Sequence, residues 1–305
     1  MNLLIERLAP LAVTLVAAPL LPGIINKVKA AIEGRQGPPV LQLYYDLLKL
    51  LRKGAVYSTT TTWIFRAGPV VALAAFLAAA LFVPLRGSVS VVSFAGDAVL
   101  FAYLLGLARF FTVLAALDTG SSFEGMGASR EVTFALLAEP TLFIGLVVLA
   151  RQTGSLSLST MVGGAAGSLD QVLGGSLALI ALSLFVVCLA ENSRIPVDDP
   201  ATHLELTMIH EVMVLDHSGP DLAFILYGAS LKLFLMVSIL AHLILPMNLG
   251  MPAVEWALFA GIVGAITLAI GLVESSMARL RLNRVPRLLM AACVMAIFGM
   301  ILSLR

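Results

Sequence analysis

Residues 222–245 read LAFILYGASLKLFLMVSILAHLIL and indicate the fold class of the whole chain. Lys232 is the only lysine, arginine, aspartate or glutamate in the stretch. As an α-helix, these residues would be about 36 Å long, enough to cross the roughly 30 Å of hydrocarbon in a bilayer. The stretch therefore predicts a transmembrane helix.

The composition of the complete chain agrees with this prediction. Of the 305 residues, 60% are hydrophobic and only 12% are charged, whereas a soluble domain is about half apolar and about a quarter charged. The composition favours an integral membrane protein. The formal net charge of +1 gives no indication of a nucleic-acid partner.

Apolar stretches of similar length recur along the sequence. Because a chain in lipid must satisfy its own backbone hydrogen bonds, each stretch is predicted to be a helix. We expect an all-α integral membrane protein with about eight transmembrane helices, forming a single transmembrane domain over 1–305. The predicted spans are 4–22, 64–85, 98–117, 132–150, 173–190, 222–245, 254–274 and 286–304.

Lysine and arginine lie mostly on one side of these spans. The loops after spans 1, 3, 5 and 7 hold thirteen of the nineteen, and the opposite side holds four. By the positive-inside rule, those loops face the cytoplasm and both termini face outward, here across the cell (inner) membrane. Thirteen of the eighteen acids share the cytoplasmic side, which is therefore the expected working surface.

Three charged residues, Arg109, Glu139 and Lys232, lie within the predicted spans and away from their ends. Glu139 is near the middle of its span, where a charge costs about 2.5–3.5 kcal/mol on insertion scales, so it is expected to face a polar interior. Pro140 follows it and can kink the helix. We interpret Glu139 as part of a proton or ion path, with a structural ion pair as the alternative. For Arg109 and Lys232 a structural ion pair is favoured, although Lys232 remains an ion-path candidate.

Residues 36–53 are too polar to span a membrane but keep helical spacing. Beyond Pro39, one side of the predicted helix is apolar and the other is charged. This pattern is typical of an amphipathic helix that lies along the membrane face. A plain surface anchor is at least as good an interpretation as a catalytic element.

The most polar stretch is the predicted cytoplasmic loop 191–221, ENSRIPVDDPATHLELTMIHEVMVLDHSGPD. It contains seven carboxylates and three of the four histidines. Asp199 followed by Pro200 predicts a helix start, since an acidic cap and a proline in the first turn are both favoured there. Residues 204–215 are apolar on most sides, so the helix is expected to be buried and to carry its charged groups into protein.

The histidines of this loop do not predict a metal site. HEVMV begins like the HExxH motif of zinc proteases, but Val214 stands where the second histidine is required. His203, His210 and His217 are seven residues apart, a spacing that could align them on one helical face. Hydrogen bonding at a partner interface, or proton relay, is favoured over a three-histidine metal site.

Neither the cysteines nor the glycine-containing segment 118–131 predicts a cofactor site. Cys188 and Cys293 lie in apolar runs without neighbouring ligands and are interpreted as small core residues. Residues 118–131, DTGSSFEGMGASRE, do not match a Walker phosphate-binding loop and are predicted to form a compact polar loop before span 4.

Four ordered stretches on the predicted cytoplasmic side resemble a known family. The family is the membrane subunit that links the two arms of respiratory complex I, and its counterpart in group 4 membrane-bound [NiFe] hydrogenases. The resemblance extends over nearly the whole chain. It is most specific in GRQGPPVLQLYYDLLKLL, in GASREVTFALLAEP, in AENSRIPVDDPATHLEL with DHSGPD, and in ESSMARLRLNRVPRLL.

In the complex I branch, this subunit forms the quinone chamber and begins a chain of acids that runs into the membrane. The resemblance implies ion-path roles for acids that include Glu139, Glu191, Asp198 and Glu205. The further ion-path candidates are Asp199, Glu211, Asp216 and Lys232. It also places Arg35, Asp46, Lys49, Arg130 and Arg194 on motifs of the family, and these are candidates for a partner interface or cavity. The further candidates for such a surface are His203, His210, His217 and Arg279.

Departures from the complex I branch favour the hydrogenase branch. The chain goes directly from RQGP to PVLQ, and Ala201 and His203 stand where the quinone-reducing branch usually has carboxylates. The shortened first motif and the ending SSMARLRL…PRL are similar to the subunits of formate hydrogenlyase and hydrogenase-4 complexes. The quinone site is therefore doubtful.

The resemblance implies a subunit that docks a hydrogenase and couples its redox reaction to proton or sodium translocation. The implied partners are the [NiFe] large and small subunits, a ferredoxin-like iron–sulfur subunit and antiporter-like membrane subunits. The [NiFe] centre and the iron–sulfur clusters are expected in those partners, with no redox cofactor, metal or catalytic centre in this chain. The alternatives are a quinone-site subunit of a complex I-type oxidoreductase and a passive membrane anchor of a hydrogenase.

Overall fold

The computed structural model describes residues 2–85, 90–164, 175–199, 208–244 and 251–304. Within these ranges the chain is helical and has no strand. A four-residue 3-10 helix, Glu211–Val214, precedes α9. The α-helices are α1 Asn2–Ala17, α2 Leu20–Ile32, α3 Gln42–Leu51, α4 Trp63–Ala80, α5 Asp97–Asp118, α6 Ser122–Thr153, α7 Leu158–Gly164, α8 Gly175–Glu191, α9 Gly219–Ile244, α10 Pro252–Ser276 and α11 Val285–Leu302.

Seven helical segments in the described part of the chain are long and apolar enough to cross a membrane. They correspond to all the predicted spans except the fifth, for which α8 provides a shorter apolar helix. The prediction of an all-α protein with about eight spanning helices is confirmed. Helix α9 lies at the centre, with every residue from 230 to 243 buried, because α1, α2, α3, α4, α8 and α10 all pack against it.

The first span is longer than predicted. Its apolar segment runs from Leu8 to Ile32 rather than ending at residue 22, and it is broken between α1 and α2 at Ala18 and Pro19. Pro22 lies in the first turn of α2, where its missing N–H is not needed because the first-turn donors have no partner within the helix. The proline therefore does not end the span.

The predicted polar loop 118–131 is mostly helix. Helix α6 begins at Ser122 and continues through Pro140 to Thr153, so only residues 119–121 connect it to α5. The turn requires a left-handed backbone at Gly120, with φ +71°. Segment 122–131 stays helical because Gly127 lets it pack directly on the loop before α9: a Cβ there would lie 2.3 Å from a Val212 methyl.

The amphipathic helix is also shorter than predicted. Residues 36–41 precede α3 and are not helical, because Pro38 and Pro39 have no N–H to donate. None of the residues of α3 is fully buried, and Tyr45, Leu48 and Leu51 are exposed apolar groups on its surface.

Hydrogen bonds define two ends of the helix bundle. At one end, which we call the motif face, lie residues 33–62, 119–121, 192–199, 208–218 and 277–284. There Asp118 accepts hydrogen bonds from the Thr62 N–H at 2.6 Å and the Phe65 N–H at 3.2 Å, which caps α4. At the opposite end, buried Asp97 accepts from the Leu158 N–H at 2.5 Å and the Ser157 hydroxyl at 3.0 Å.

Gly219 joins the start of α9 to the motif face. Its φ is +55°, and a Cβ there would lie 2.6 Å from the carbonyl oxygen of Gly54. We expect Gly219→Ala to lower the free energy of unfolding by about 2 kcal/mol or more, because it adds backbone strain to a steric clash. Denaturant titration in detergent micelles measures the change. The control is Gly264→Ala in α10, where a Cβ meets nothing within 4 Å; an equal loss there would contradict the packing argument.

Candidate ion-path site

A group of five charges, of which four are largely buried, lies where α5, α6, α8 and α9 meet. We call it the Arg109 cluster; it consists of Arg109, Glu131, Glu139, Glu191 and Lys232. Arg109 on α5 donates through Nη1 to Glu139 and through Nη2 to Glu191. Its Nε lies 3.3 Å from Oε1 of Glu131. One guanidinium thus contacts three carboxylates from two helices.

Glu191 is held from its other side by Lys232. The Lys232 ammonium on α9 lies 2.8 Å from Glu191 Oε2 and donates to the Glu191 backbone carbonyl at 2.5 Å. Because Glu191 is the last residue of α8, this cation also neutralises the negative end of the α8 dipole. The Glu191 side chain is 3% exposed and lies between two fixed cations.

A second set of ion pairs lies at and next to the motif face. Glu274 at the end of α10 pairs with Lys29 of α2 at 3.0 Å and with Arg194 at 3.4 Å. Asp198 pairs with Arg279 at 2.9 Å. Asp198 also accepts hydrogen bonds from the backbone N–H groups of Ile209 at 3.2 Å and His210 at 3.0 Å, and so joins two separate parts of the acidic loop.

Three small cavities border Glu191. Cavity A, about 70 Å³, is lined by Arg109, Glu131, Glu191, His210 and Lys232 together with apolar residues of α4 and α9. Cavity B, about 10 Å³, lies among Glu131, Glu191 and Asp198. Cavity C, about 60 Å³, lies among Tyr103, Arg109, Glu139 and Glu191. A buried water needs about 10–15 Å³ measured in this way, so cavity B has room for about one water and cavity C for a few.

Water held in small cavities between carboxylates can relay protons from one carboxyl group to the next. Cavity B separates Asp198 from Glu191, and cavity C separates Glu191 from Glu139. Since Glu139 is half exposed on α6, with 45% of its side chain accessible, the series ends at the lateral surface of the chain. The acids and the cavities alternate along one series, and the fixed cations Arg109 and Lys232 lie beside it.

The described part of the acidic loop differs from the predicted helix over 204–215. Residues 208–210 are not helical, and only Glu211–Val214 form a 3-10 turn. The turn is short because buried Asp198 accepts the N–H groups of Ile209 and His210, which fixes those residues in another conformation. Glu205 and His203 lie outside the described residues.

The two described histidines of the loop, His210 and His217, do not share a helical face. His210 precedes the 3-10 helix and His217 follows it. His217 is 5% exposed and stacks on Phe65, with ring centroids 4.0 Å apart, so it does not face a partner. Burial lowers the pKa of His217 to about 4 and also lowers the pKa of His210. Both imidazoles are therefore neutral near pH 7.

The remaining predicted residues are spread over the motif face. Arg35 pairs with Glu33 in solvent, and Asp46 accepts a hydrogen bond from Gln42 at 2.9 Å. Arg130 donates to the Met208 carbonyl at 2.8 Å, which attaches α6 to the acidic loop. Lys49 and Asp216 are exposed, whereas Asp199 and Glu211 are partly buried.

Sequence reasoning missed three charged residues that complete the two sets of ion pairs. Glu131 and Glu274 lie at the ends of predicted spans and Lys29 lies in the predicted loop after span 1, where a charge is unremarkable in sequence. The signal that could have found Glu274 is its place at the start of ESSMARLRL, one of the stretches that carries the resemblance. Among the described residues, no three His, Cys, Asp or Glu side chains are grouped as metal ligands.

Comparison with known proteins places the chain in a family. A family model described as NADH dehydrogenase matches residues 5–304. The chain belongs to the NADH dehydrogenase family. Within that family, hydrogenase-4 component C of Escherichia coli (strain K12) is 36% identical over 244 residues, which cover 80% of this chain and 76% of that protein. Formate hydrogenlyase subunit 4 of the same organism is 33% identical over 282 residues, 89% of each chain.

A quinone-branch relative is also similar. An NADH-quinone oxidoreductase subunit of Rubrobacter xylanophilus is 29% identical over 217 residues, 66% of this chain and 62% of that protein. The predicted resemblance to this NADH dehydrogenase family, and to its hydrogenase-4 and formate hydrogenlyase members, is confirmed.

Solved structures support the same fold. A chain of the membrane-bound sulfane sulfur reductase, an archaeal respiratory membrane complex, matches with a TM-score of 0.83 and 22% identity. The match covers 99% of this chain and 100% of that chain. Together with the seven apolar helices, this makes the chain a multi-pass membrane protein of the NADH dehydrogenase family.

Proposed function

We propose that this chain is the membrane subunit of a group 4 [NiFe] hydrogenase complex and couples a redox reaction to ion translocation. The observation that carries the proposal is the line of acids Asp198, Glu191 and Glu139, with a cavity between each pair. The similarity to hydrogenase-4 component C and formate hydrogenlyase subunit 4 supports the hydrogenase assignment. We take residues 1–305 as a single transmembrane domain.

In this proposal, the motif face is cytoplasmic and binds the soluble redox module. The excess of lysine and arginine in its loops supports that orientation by the positive-inside rule, with both termini outside. The exposed charges of Arg35 and Lys49 supply polar contacts for a partner surface. The partners are the [NiFe] large and small subunits and an iron–sulfur subunit, whose clusters carry the electrons.

The acids are the second part of the proposal. A change at the motif face is transmitted through Asp198 to Glu191, and from there to Glu139. Because Glu139 is half exposed on α6, it delivers the ion to a neighbouring antiporter-like membrane subunit. A carboxylate in the membrane is expected to pair or to face such a polar path.

Cavity size argues against the quinone alternative at the Arg109 cluster. Cavity A has apolar residues of α4 and α9 on one side and charged groups on the other, as a quinone site requires, but its volume is about 70 Å³. Ligand sites are typically about 300–1,000 Å³. Cavity A fits a few waters rather than a quinone head group.

Purification through an affinity tag on this chain tests the assignment. We expect mass spectrometry of the solubilised complex to identify [NiFe] hydrogenase chains, an iron–sulfur chain and antiporter-like chains, and the complex to turn over hydrogen. A complex that contains an NADH-oxidising chain and reduces quinone would favour the quinone alternative. A chain that purifies without any redox partner would contradict the proposal.

A further inference from the structure

We propose that Arg109 makes the step between Glu191 and Glu139 selective for protons over sodium ions. The inference rests on the proposed function, because it concerns the ion that passes between Glu191 and Glu139. It is argued from the contacts of Arg109, the charge of its cluster and the size of the cavities beside it.

The formal charges of the Arg109 cluster do not cancel, and one added positive charge would neutralise the cluster. In the described part of the chain, two fixed cations, Arg109 and Lys232, face three carboxylates, Glu131, Glu139 and Glu191. His210 also lines cavity A, but burial lowers its pKa and keeps it neutral. The cluster therefore has one net negative charge, which a single added proton neutralises.

A sodium ion does not fit the space that Arg109 occupies. A hard cation takes about six oxygen ligands in a protein site. Here Arg109 already occupies the position at which Glu131, Glu139 and Glu191 converge. Lys232 binds both an oxygen of the Glu191 side chain and the Glu191 backbone carbonyl. The ligands that a sodium ion would use are bound to permanent cations.

At the preceding step, between Asp198 and Glu191, cavity size also excludes the hydrated ion. Cavity B, between Asp198 and Glu191, has a volume of about 10 Å³, room for about one water. A sodium ion with its water shell cannot pass there, whereas a proton crosses through one water.

Proton transfer at this step needs only the two carboxyl groups and water between them. A proton on the Glu191 carboxyl passes through water in cavity C to the Glu139 carboxylate, which becomes the acid while Glu191 becomes the carboxylate. Arg109 stays protonated throughout and strengthens its hydrogen bonds to whichever carboxylate is ionised. Because Arg109 contacts both groups, it can follow the charge by a small rotation of its guanidinium.

Thermal unfolding of the purified complex in detergent, without turnover, tests the selectivity. The midpoint Tm is compared in sodium chloride and in choline chloride of equal ionic strength, so that screening is matched. The wild-type Tm should be the same in both salts. Arg109→Gln removes the cation and opens its place, so sodium should raise its Tm by roughly 2–4 °C. Arg109→Lys retains a cation and should show no sodium effect.

Two results would overturn the inference. One is a sodium-dependent Tm in the wild type that is lost in Arg109→Gln, and the other is an Arg109→Gln complex that does not respond to sodium. If Arg109→Gln does not assemble, the double variant Arg109→Gln/Glu139→Gln, which keeps one net negative charge, replaces it with the same expected sodium effect. Because no turnover is needed, the result is independent of whether the complex couples hydrogen chemistry to ion movement.

Discussion

Glu191→Gln is expected to lower the free energy of unfolding by about 3–5 kcal/mol, the range for removal of one partner from a buried ion pair. The Glu191 side chain is 3% exposed and pairs with both Arg109 and Lys232. Its loss removes the carboxylate that Arg109 and Lys232 share, and among the described residues it leaves Lys232 without a carboxylate partner. Denaturant titration of the detergent-solubilised complex measures the change.

The matched control is Glu33→Gln, the same substitution at an exposed acid. Glu33 pairs with Arg35, and the two side chains are 44% and 66% exposed. Exposed pairs contribute about 0–1 kcal/mol, so this variant should unfold almost as the wild type does. Similar losses for Glu33→Gln and Glu191→Gln would show that the Arg109 cluster does not hold α5, α8 and α9 together.

Much of the fold could be predicted from the sequence because lipid imposes a simple rule on length and polarity. Span 222–245 was predicted within a few residues of α9, Gly219–Ile244. The errors occur where helices extend beyond the hydrocarbon: α6 continues to Ser122 although its first turns are polar. Hydropathy cannot detect such an extension, because it is stabilised by packing against Val212 and Ile209 from a distant part of the chain.

The candidate site was predicted less completely than the fold. Glu139 could be identified because a carboxylate in an apolar span is unusual, and ion pairs were favoured for Arg109 and Lys232, which both form them. The sequence could not show that Arg109 and Lys232 share Glu191. Glu274 and Glu131 stayed hidden because acids at the ends of spans are common, and only the folded chain brings them next to Arg194 and Arg109.

Glu139→Gln is expected to abolish ion movement while hydrogen turnover continues. Glu139 is half exposed, and Arg109 keeps Glu131 and Glu191 as partners when its charge is removed. The fold should therefore survive, unlike in Glu191→Gln. A glutamine amide cannot accept and release a proton near neutral pH, so the acid series ends at Glu191. The redox centres belong to partner subunits in the proposed complex and are not altered.

The most direct measurement records hydrogen turnover and ion uptake together in proteoliposomes that contain the intact complex. The wild type and the Glu33→Gln control should both take up ions, and Glu139→Gln should turn over hydrogen at the same rate with uptake no greater than in the presence of an uncoupler. If Glu139→Gln moves as many ions per hydrogen as the wild type, the acid series does not couple the two reactions and the chain is a passive anchor.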